Sequence, residues 1–175
     1  MQLTAILSLA LFGTALAGPV RRDLQTINGA LGNIQKSVMQ LDTDIKTISG
    51  QPGDVQKIQT DNMMVQQTLQ QSTTMVMATD AISLNDAITL QQTAGGLTTQ
   101  VMTTVMDLTA KKAQINMIPG AKDMVVQGLM QQKTAANSFA MAVVSKVPAL
   151  AQNIATQQTG QISAAFDMGI QAFST

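Results

Sequence analysis

One spacing dominates the sequence. From Asp23 onward, Leu24, Ile27, Leu31, Ile34, Val38, Leu41, Ile45 and Ile48 follow one another at intervals of three and four residues. An α-helix returns to the same side at that interval, so these residues form one apolar stripe about seven turns long. A half-buried strand needs apolar residues at alternate positions, and no such run bounded by hairpin turns occurs. Gly50-Gln51-Pro52-Gly53 closes the stripe with a helix-stopping glycine and a turn-forming proline. Asp54 is then a candidate N-cap for the next helix.

The pattern recurs four more times. Val55, Ile58, Asn62, Val65, Leu69, Ser72, Val76 and Thr79 form a second seam, interrupted by polar residues. Ser83, Asn85 and Asp86 are capping types and place a boundary between Ile82 and Asp86. A third seam runs through Ala87, Gln91, Ala94, Thr98, Val101, Val105, Leu108 and Ile115. Gly95-Gly96 falls inside it and should weaken or bend the helix, each glycine costing about 1 kcal/mol relative to Ala. After a break over 116–120, a fourth seam carries Val125, Leu129, Gln132, Ala136, Phe139 and Val143. Pro148 suits the first turn of a fifth helix, which carries Leu150, Ile154, Ile162, Phe166, Gly169 and Phe173. The expectation is an all-α fold: a five-helix antiparallel bundle over residues 23–175, each helix about 40 Å long.

The first 22 residues read differently. An apolar run from Ala5 to Phe12 leads into Ala15-Leu16-Ala17, a small-x-small cleavage pattern, so residues 1–17 are expected to be a secretory signal peptide cut after Ala17. The run is far shorter than the about 20 residues a membrane span needs, and no transmembrane anchor is expected. Residues 18–22 end in Arg21-Arg22, a dibasic site whose cleavage after Arg22 would start the mature chain at Asp23.

Composition excludes several chemistries. The chain contains no His, Cys, Trp, Tyr or Glu. It therefore lacks the parts of a Ser-His-Asp triad, a thiolate nucleophile, and a zinc, haem or iron–sulfur site of the ordinary kind. No cofactor and no metal are expected. After dibasic cleavage eight basic residues face ten aspartates, so no basic patch argues for nucleic acid. Charged residues make up 11% of the chain, against an average of about 25%, so its surface rests on Gln, Thr and Ala. Asp42 with Asp44, or Asp80 with Asp86, could be proposed as a glycosidase carboxylate pair. Their exposed-looking positions and the lack of an aromatic sugar platform argue against it. The expected protein is not an enzyme.

Two residue sets are candidates for ligand contact. Asn62, Ser72, Thr79, Gln91 and Thr98 are polar at seam positions, where a buried hydroxyl or amide without a partner costs about 1–3 kcal/mol and several together suggest a head group, internal water or mutual pairing. They could hold the head group of an apolar ligand, or bond back to carbonyls of their own helices. The second set is methionine, of which the chain has 13. Met75, Met102 and Met106 stand for a cluster in the middle helices. Flexible thioethers there could contact lipid, make an adhesive surface, or fill a core poor in aromatics. Lys111-Lys112 could meet a lipid carboxylate, or lie on a solvated face at a helix C-terminus.

Several local motifs carry a resemblance. The opening Asp23-Leu24-x-x-Ile27, the turn at 50–53, Leu108-x-x-Lys111-Lys112, Gly120, Lys146-Val147-Pro148 and the closing Ile162-x-x-x-Phe166-x-x-x-Ile170-x-x-Phe173-Ser174 occur in this order. In that order and spacing the chain resembles the fungal hydrophobic-surface-binding protein A family, which includes cell-wall galactomannoprotein antigens. The likeness covers about Asp23 to Ser174. The chain departs from the family in Ile115, where an aromatic is expected, and in its richness in Met and Gln. The resemblance implies a secreted or wall-associated bundle that binds a fatty acid or other lipid, or a hydrophobic solid surface. It also implies, as an alternative, a structural or antigenic wall mannoprotein that recruits secreted esterases or cutinases. No ligand motif of the family is matched residue by residue.

Overall fold

The computed structural model describes residues 19–174, and the side chains of 22–174. The expected signal peptide and its cleavage site at Ala17 lie outside the described residues. Six helices follow in order: α1 (Pro19–Lys46), α2 (Pro52–Met77), α3 (Leu84–Ala110), α4 (Lys112–Asn116), α5 (Ala121–Lys146) and α6 (Ala149–Ser174). The all-α expectation holds, with one helix more than five. The third seam does not run unbroken to Ile115. The chain leaves α3 at Lys111, whose N–H is shared between the carbonyls of Asp107 and Leu108, and the single turn of α4 then carries Ile115 into the core. Helix α1 begins at Pro19, and Arg22 lies in its first turn.

Local chemistry explains the boundaries. Asp54 does not cap α2 from the N-cap position. Gln51 stands there and Pro52 is the first helical residue, where its missing N–H costs nothing. Asp54 reaches back instead, and its carboxylate accepts from the N–H groups of Ser49 (2.8 Å), Gly50 (3.0 Å) and Gln51 (3.0 Å). Those backbone donors, Ser49's first, hold the Asp54 carboxyl below its ordinary pKa. Gly50 has φ +91°, a left-handed conformation that requires glycine. Ser83 is the N-cap of α3, its Oγ accepting from Asp86 N–H at 3.1 Å. Pro148 precedes α6 by one residue rather than lying inside it. Gly95-Gly96 neither ends nor interrupts α3.

The arrangement differs from an antiparallel bundle. Each of the five long helices packs chiefly on two others, and the contacts close into a ring in the order α1, α2, α5, α6, α3. Helix α1 is antiparallel to α2, joined by Ser72 Oγ donating to the Ala30 carbonyl and by the Lys57–Asp44 ion pair. Helices α5 and α6 are antiparallel too, with Lys133–Asp167 at 2.6 Å and Ser163 bonded to Asn137 at 2.8 Å. The other three neighbours are parallel. Lys46 of α1 meets Asp107 of α3 at 3.3 Å. Gln59 and Lys146 tie α2 to α5 at either end, and Gln158 of α6 donates to Gln91 of α3. The reason is that residues 78–83 and 111–120 cross the bundle ends instead of reversing the chain onto its nearest neighbour. Among the described residues no helix is long and apolar enough to cross a membrane.

A five-membered ring has a geometric consequence. With helix axes about 8–10 Å apart, the centre of a pentagon lies about 7–8.5 Å from each axis, against about 6–7 Å in a four-helix square. Side chains must span that extra distance. Where they are small, a lumen remains.

Candidate functional site

The lumen is a cavity of about 130 Å³ walled by all five long helices. Its lining includes Leu31, Ile34 and Val38 of α1, Val65 and Leu69 of α2, and Leu97, Val101 and Val105 of α3. Phe139 and Val143 of α5 and Ile162 and Phe166 of α6 complete the wall. Small residues leave the space open: Ala87, Ala94, Ala136, Ala140, Ala151 and Ala155 all face it. The lining runs from Ala87 to Val105 along α3, about 27 Å at the helical rise. That is long enough for an acyl chain, which in one leaflet of a bilayer spans about half of a 30 Å hydrocarbon core.

The cavity opens between the N-terminal halves of α3 and α6. There the lining residues Ile88 (58% exposed), Gln91 and Ile154 (41%) reach the surface. Helix α6 covers this side loosely, since its fully buried residues begin only at Ala165. A closed apolar void of about 150 Å³ stays dry and takes a guest such as benzene, so at 130 Å³ this shaft needs side-chain movement at its open side to admit a longer chain.

No charged residue lines the shaft among the described residues. The inner polar groups are satisfied within the protein. Thr98 Oγ1 donates to Ala94 O at 3.0 Å and Thr104 Oγ1 to Gln100 O at 2.9 Å. Gln132 Nε2 donates to Asn62 Oδ1. Of the three hydroxyls singled out from the sequence, only Thr98 lines the cavity. Ser72 is fully buried at the α1/α2 contact, and Thr79 Oγ1 donates to Val76 O at 2.8 Å. The local-bonding alternative thus describes Thr79 and Thr98.

Eleven of the described methionines face outward. Met75 (39% exposed), Met102 (36%) and Met106 (59%) do not line the shaft. They belong to an exterior set with Met39, Met63, Met64, Met77, Met117, Met130, Met141 and Met168. The seam register held that information. Met77, Met102, Met106 and Met130 each follow a buried seam residue by one position, which turns them about 100° away from the core.

Two of the acids, Asp42 and Asp44, sit elsewhere than expected. Asp42 and Asp44 are buried, paired with Lys46 and Lys57, and Asp61 is buried beside Asp44. Lys57 lowers the Asp44 pKa. Burial, and then the hydrogen bond to Asp44, raise Asp61 to about 6. Asp80 is exposed and Asp86 binds its own N-cap serine. Lys111 is not on a solvated face: it donates to Ile48 O at 3.1 Å and ties α3 to the end of α1. No group of three or more acidic side chains placed to hold a metal occurs among the described residues.

Known proteins share both sequence and fold. Residues 24–145 match the family described as hydrophobic surface binding protein A. The chain belongs to that family. It is 34% identical over 99% of its length to cell wall mannoprotein 1 of Aspergillus flavus, and 31% identical over 99% to cell wall mannoprotein 1 of Aspergillus fumigatus. It spans 63% and 60% of those two relatives. Ligand binding domain 1 of the Penicillium marneffei MP1 protein, solved in complex with arachidonic acids, superimposes with a TM-score of 0.83 at 28% identity, over 88% of this chain and 100% of that one. AFMP4P, solved with palmitic acid, shares the fold at TM-score 0.81 and 22% identity, over 86% and 99% of the two chains.

Proposed function

We propose that this hydrophobic surface binding protein A family member is a secreted or wall-associated, non-enzymatic carrier that holds a fatty acid or similar acyl lipid in its shaft. The observation that carries this reading is the shaft itself: elongated, apolar, uncharged and walled by all five long helices. The MP1 domain with arachidonic acids bound supports it at 28% identity. Burial of each methylene of an acyl chain would contribute about 0.8 kcal/mol. The test is native mass spectrometry of the secreted protein, delipidated and then offered palmitic acid. A one-to-one adduct, lost when Ala140→Phe fills the shaft, is expected. Absence of any adduct in the folded wild type would overturn the carrier reading.

The exposed methionines favour a second reading, adsorption to a hydrophobic solid. Their thioethers are apolar, flexible and spread over all five long helices and the turn at Met117, which suits a surface that must fit irregular partners. Recruitment of secreted esterases or cutinases would belong to this reading. Adsorption to polyester beads should survive Ala140→Phe and weaken when Met63, Met64, Met75 and Met77 are replaced by Gln.

A further inference from the structure

Charge is absent from all five long helices along the stretch of the bundle that holds most of the shaft. Residues 24–35, 62–79, 87–106, 134–145 and 149–166 contain no Asp, Lys or Arg. The cross-helix bonds put these stretches side by side: Ala30 meets Ser72, Gln91 meets Gln158, and Asn137 meets Ser163. The height they share is bounded by the shortest stretches, 12 residues or at most about 18 Å. The lysines next in sequence to lining residues are already engaged. Lys133 pairs with Asp167 at 2.6 Å. Lys146 donates to the carbonyls of Met77 (3.0 Å) and Thr79 (2.6 Å).

An amphiphile in this shaft must leave its polar end somewhere. The inner wall offers no free hydroxyl donor, because Thr98, Thr104 and Thr159 each donate within their own helix and Gln132 donates to Asn62, and an unpaired polar group in an apolar site is costly. At the mouth stand two amides. Gln91 is exposed, and Gln158 Nε2 reaches the Gln91 carbonyl at a long 3.3 Å. Both line the cavity. An amide can donate to a carboxylate or a carbonyl, and can both donate to and accept from a hydroxyl.

Resting on the carrier reading, we infer that Gln91 and Gln158 hold the polar end of the ligand at this mouth, and that the protein selects by acyl chain rather than head-group charge. Its ligands then include fatty alcohols and other neutral single-chain lipids alongside fatty acids. A cation at the head group would instead favour the carboxylate by about tenfold or more.

Binding of dodecanoic acid and dodecanol, each by displacement of the same fluorescent acyl probe, tests this. The wild type should bind the two within about threefold of each other. Raising NaCl from about 50 to 500 mM should leave dodecanoate affinity unchanged within about twofold, since no ion pair is screened. Gln158→Lys is placed at the surface and should fold. It should create a preference for dodecanoic acid of about tenfold, reversed by high salt. A tenfold acid preference in the wild type overturns the head-group inference and leaves the carrier reading standing. So does a Gln158→Lys variant with unaltered selectivity. Failure of both ligands to bind overturns the two together.

Discussion

At the α4 end, Lys46 bridges Asp42 and Asp107, Lys57 pairs with Asp44, Lys111 caps α1 and Asp54 gathers three N–H groups of the turn. Ile48, Ile58, Ile115 and Ile118 close the core beneath them, and the voids there are only about 30 and 20 Å³. The opposite half has no charged residue over a common height, alanines along its wall and a 130 Å³ cavity. The same helices build both halves. The difference teaches that fold stability and ligand space are divided along the length of each helix, not between helices. One end is locked by specific bonds and tight packing. The other is held by packing around the ring and by scattered hydroxyl and amide bonds, with Lys146 at its end.

The largest expected effect falls at the locked end. Ile45 is 1% exposed, and Ile45→Ala should cost about 2–5 kcal/mol in urea unfolding. Ile154→Ala, at the 41% exposed rim of the mouth, should stay within about 0.5 kcal/mol. Equal losses would break the comparison.

Added volume should have opposite signs in the two halves. A Cβ on Gly169 would lie 2.9 Å from Val105 Cγ1 and 3.2 Å from Leu129 Cδ1, so Gly169→Ala should cost about 1–3 kcal/mol through overpacking. Ala140 faces the cavity, and Ala140→Leu should stabilise by about 0.5–2 kcal/mol while reducing lipid uptake. Thermal melts with and without lipid would show both.

Titration sharpens the contrast because the buried acids sit at the locked end. Asp61 has its folded pKa raised to about 6, so between its unfolded value and 6 the native state binds the extra proton. Its contribution to stability is full below about pH 4 and is lost as pH rises through 6. Asp44 and Asp54 are shifted downward, so their contributions are present above the unfolded pKa and vanish as pH falls through their folded values. Together these groups predict maximal stability in mild acid. In urea midpoints measured from about pH 4 to 7, Asp61→Asn should flatten the decline toward neutrality. An unaltered slope would show that Asp61 does not carry it.

The smallest effect belongs to Gly95 and Gly96. Cβ atoms there would meet Gln158 and Gln35 at ordinary distances of 3.7 and 3.9 Å. Alanine at each should raise stability by about 0.5–1 kcal/mol, through a less flexible unfolded chain and better helix propensity.

The residues themselves determined the helices and the direction each one faces. Periodicity is a local property, so the seam from Leu24 to Ile48 is buried as its spacing requires, apart from the half-buried Leu24. The breaks at Gly50, Ser83 and Gly120 lie where turn and capping chemistry put them. The seam register also held the outward turn of Met102 and Met106. What no local pattern contained was which seam meets which. An apolar stripe is complementary to any other, so the order of helices depends on how residues 78–83 and 111–120 cross the ends. Only the tertiary structure set the ring order, and with it the shaft, the burial of Asp42, Asp44 and Asp61, and the meeting of Gln91 with Gln158. Those four outcomes join residues far apart in the chain, through contacts that exist only once the ring has closed.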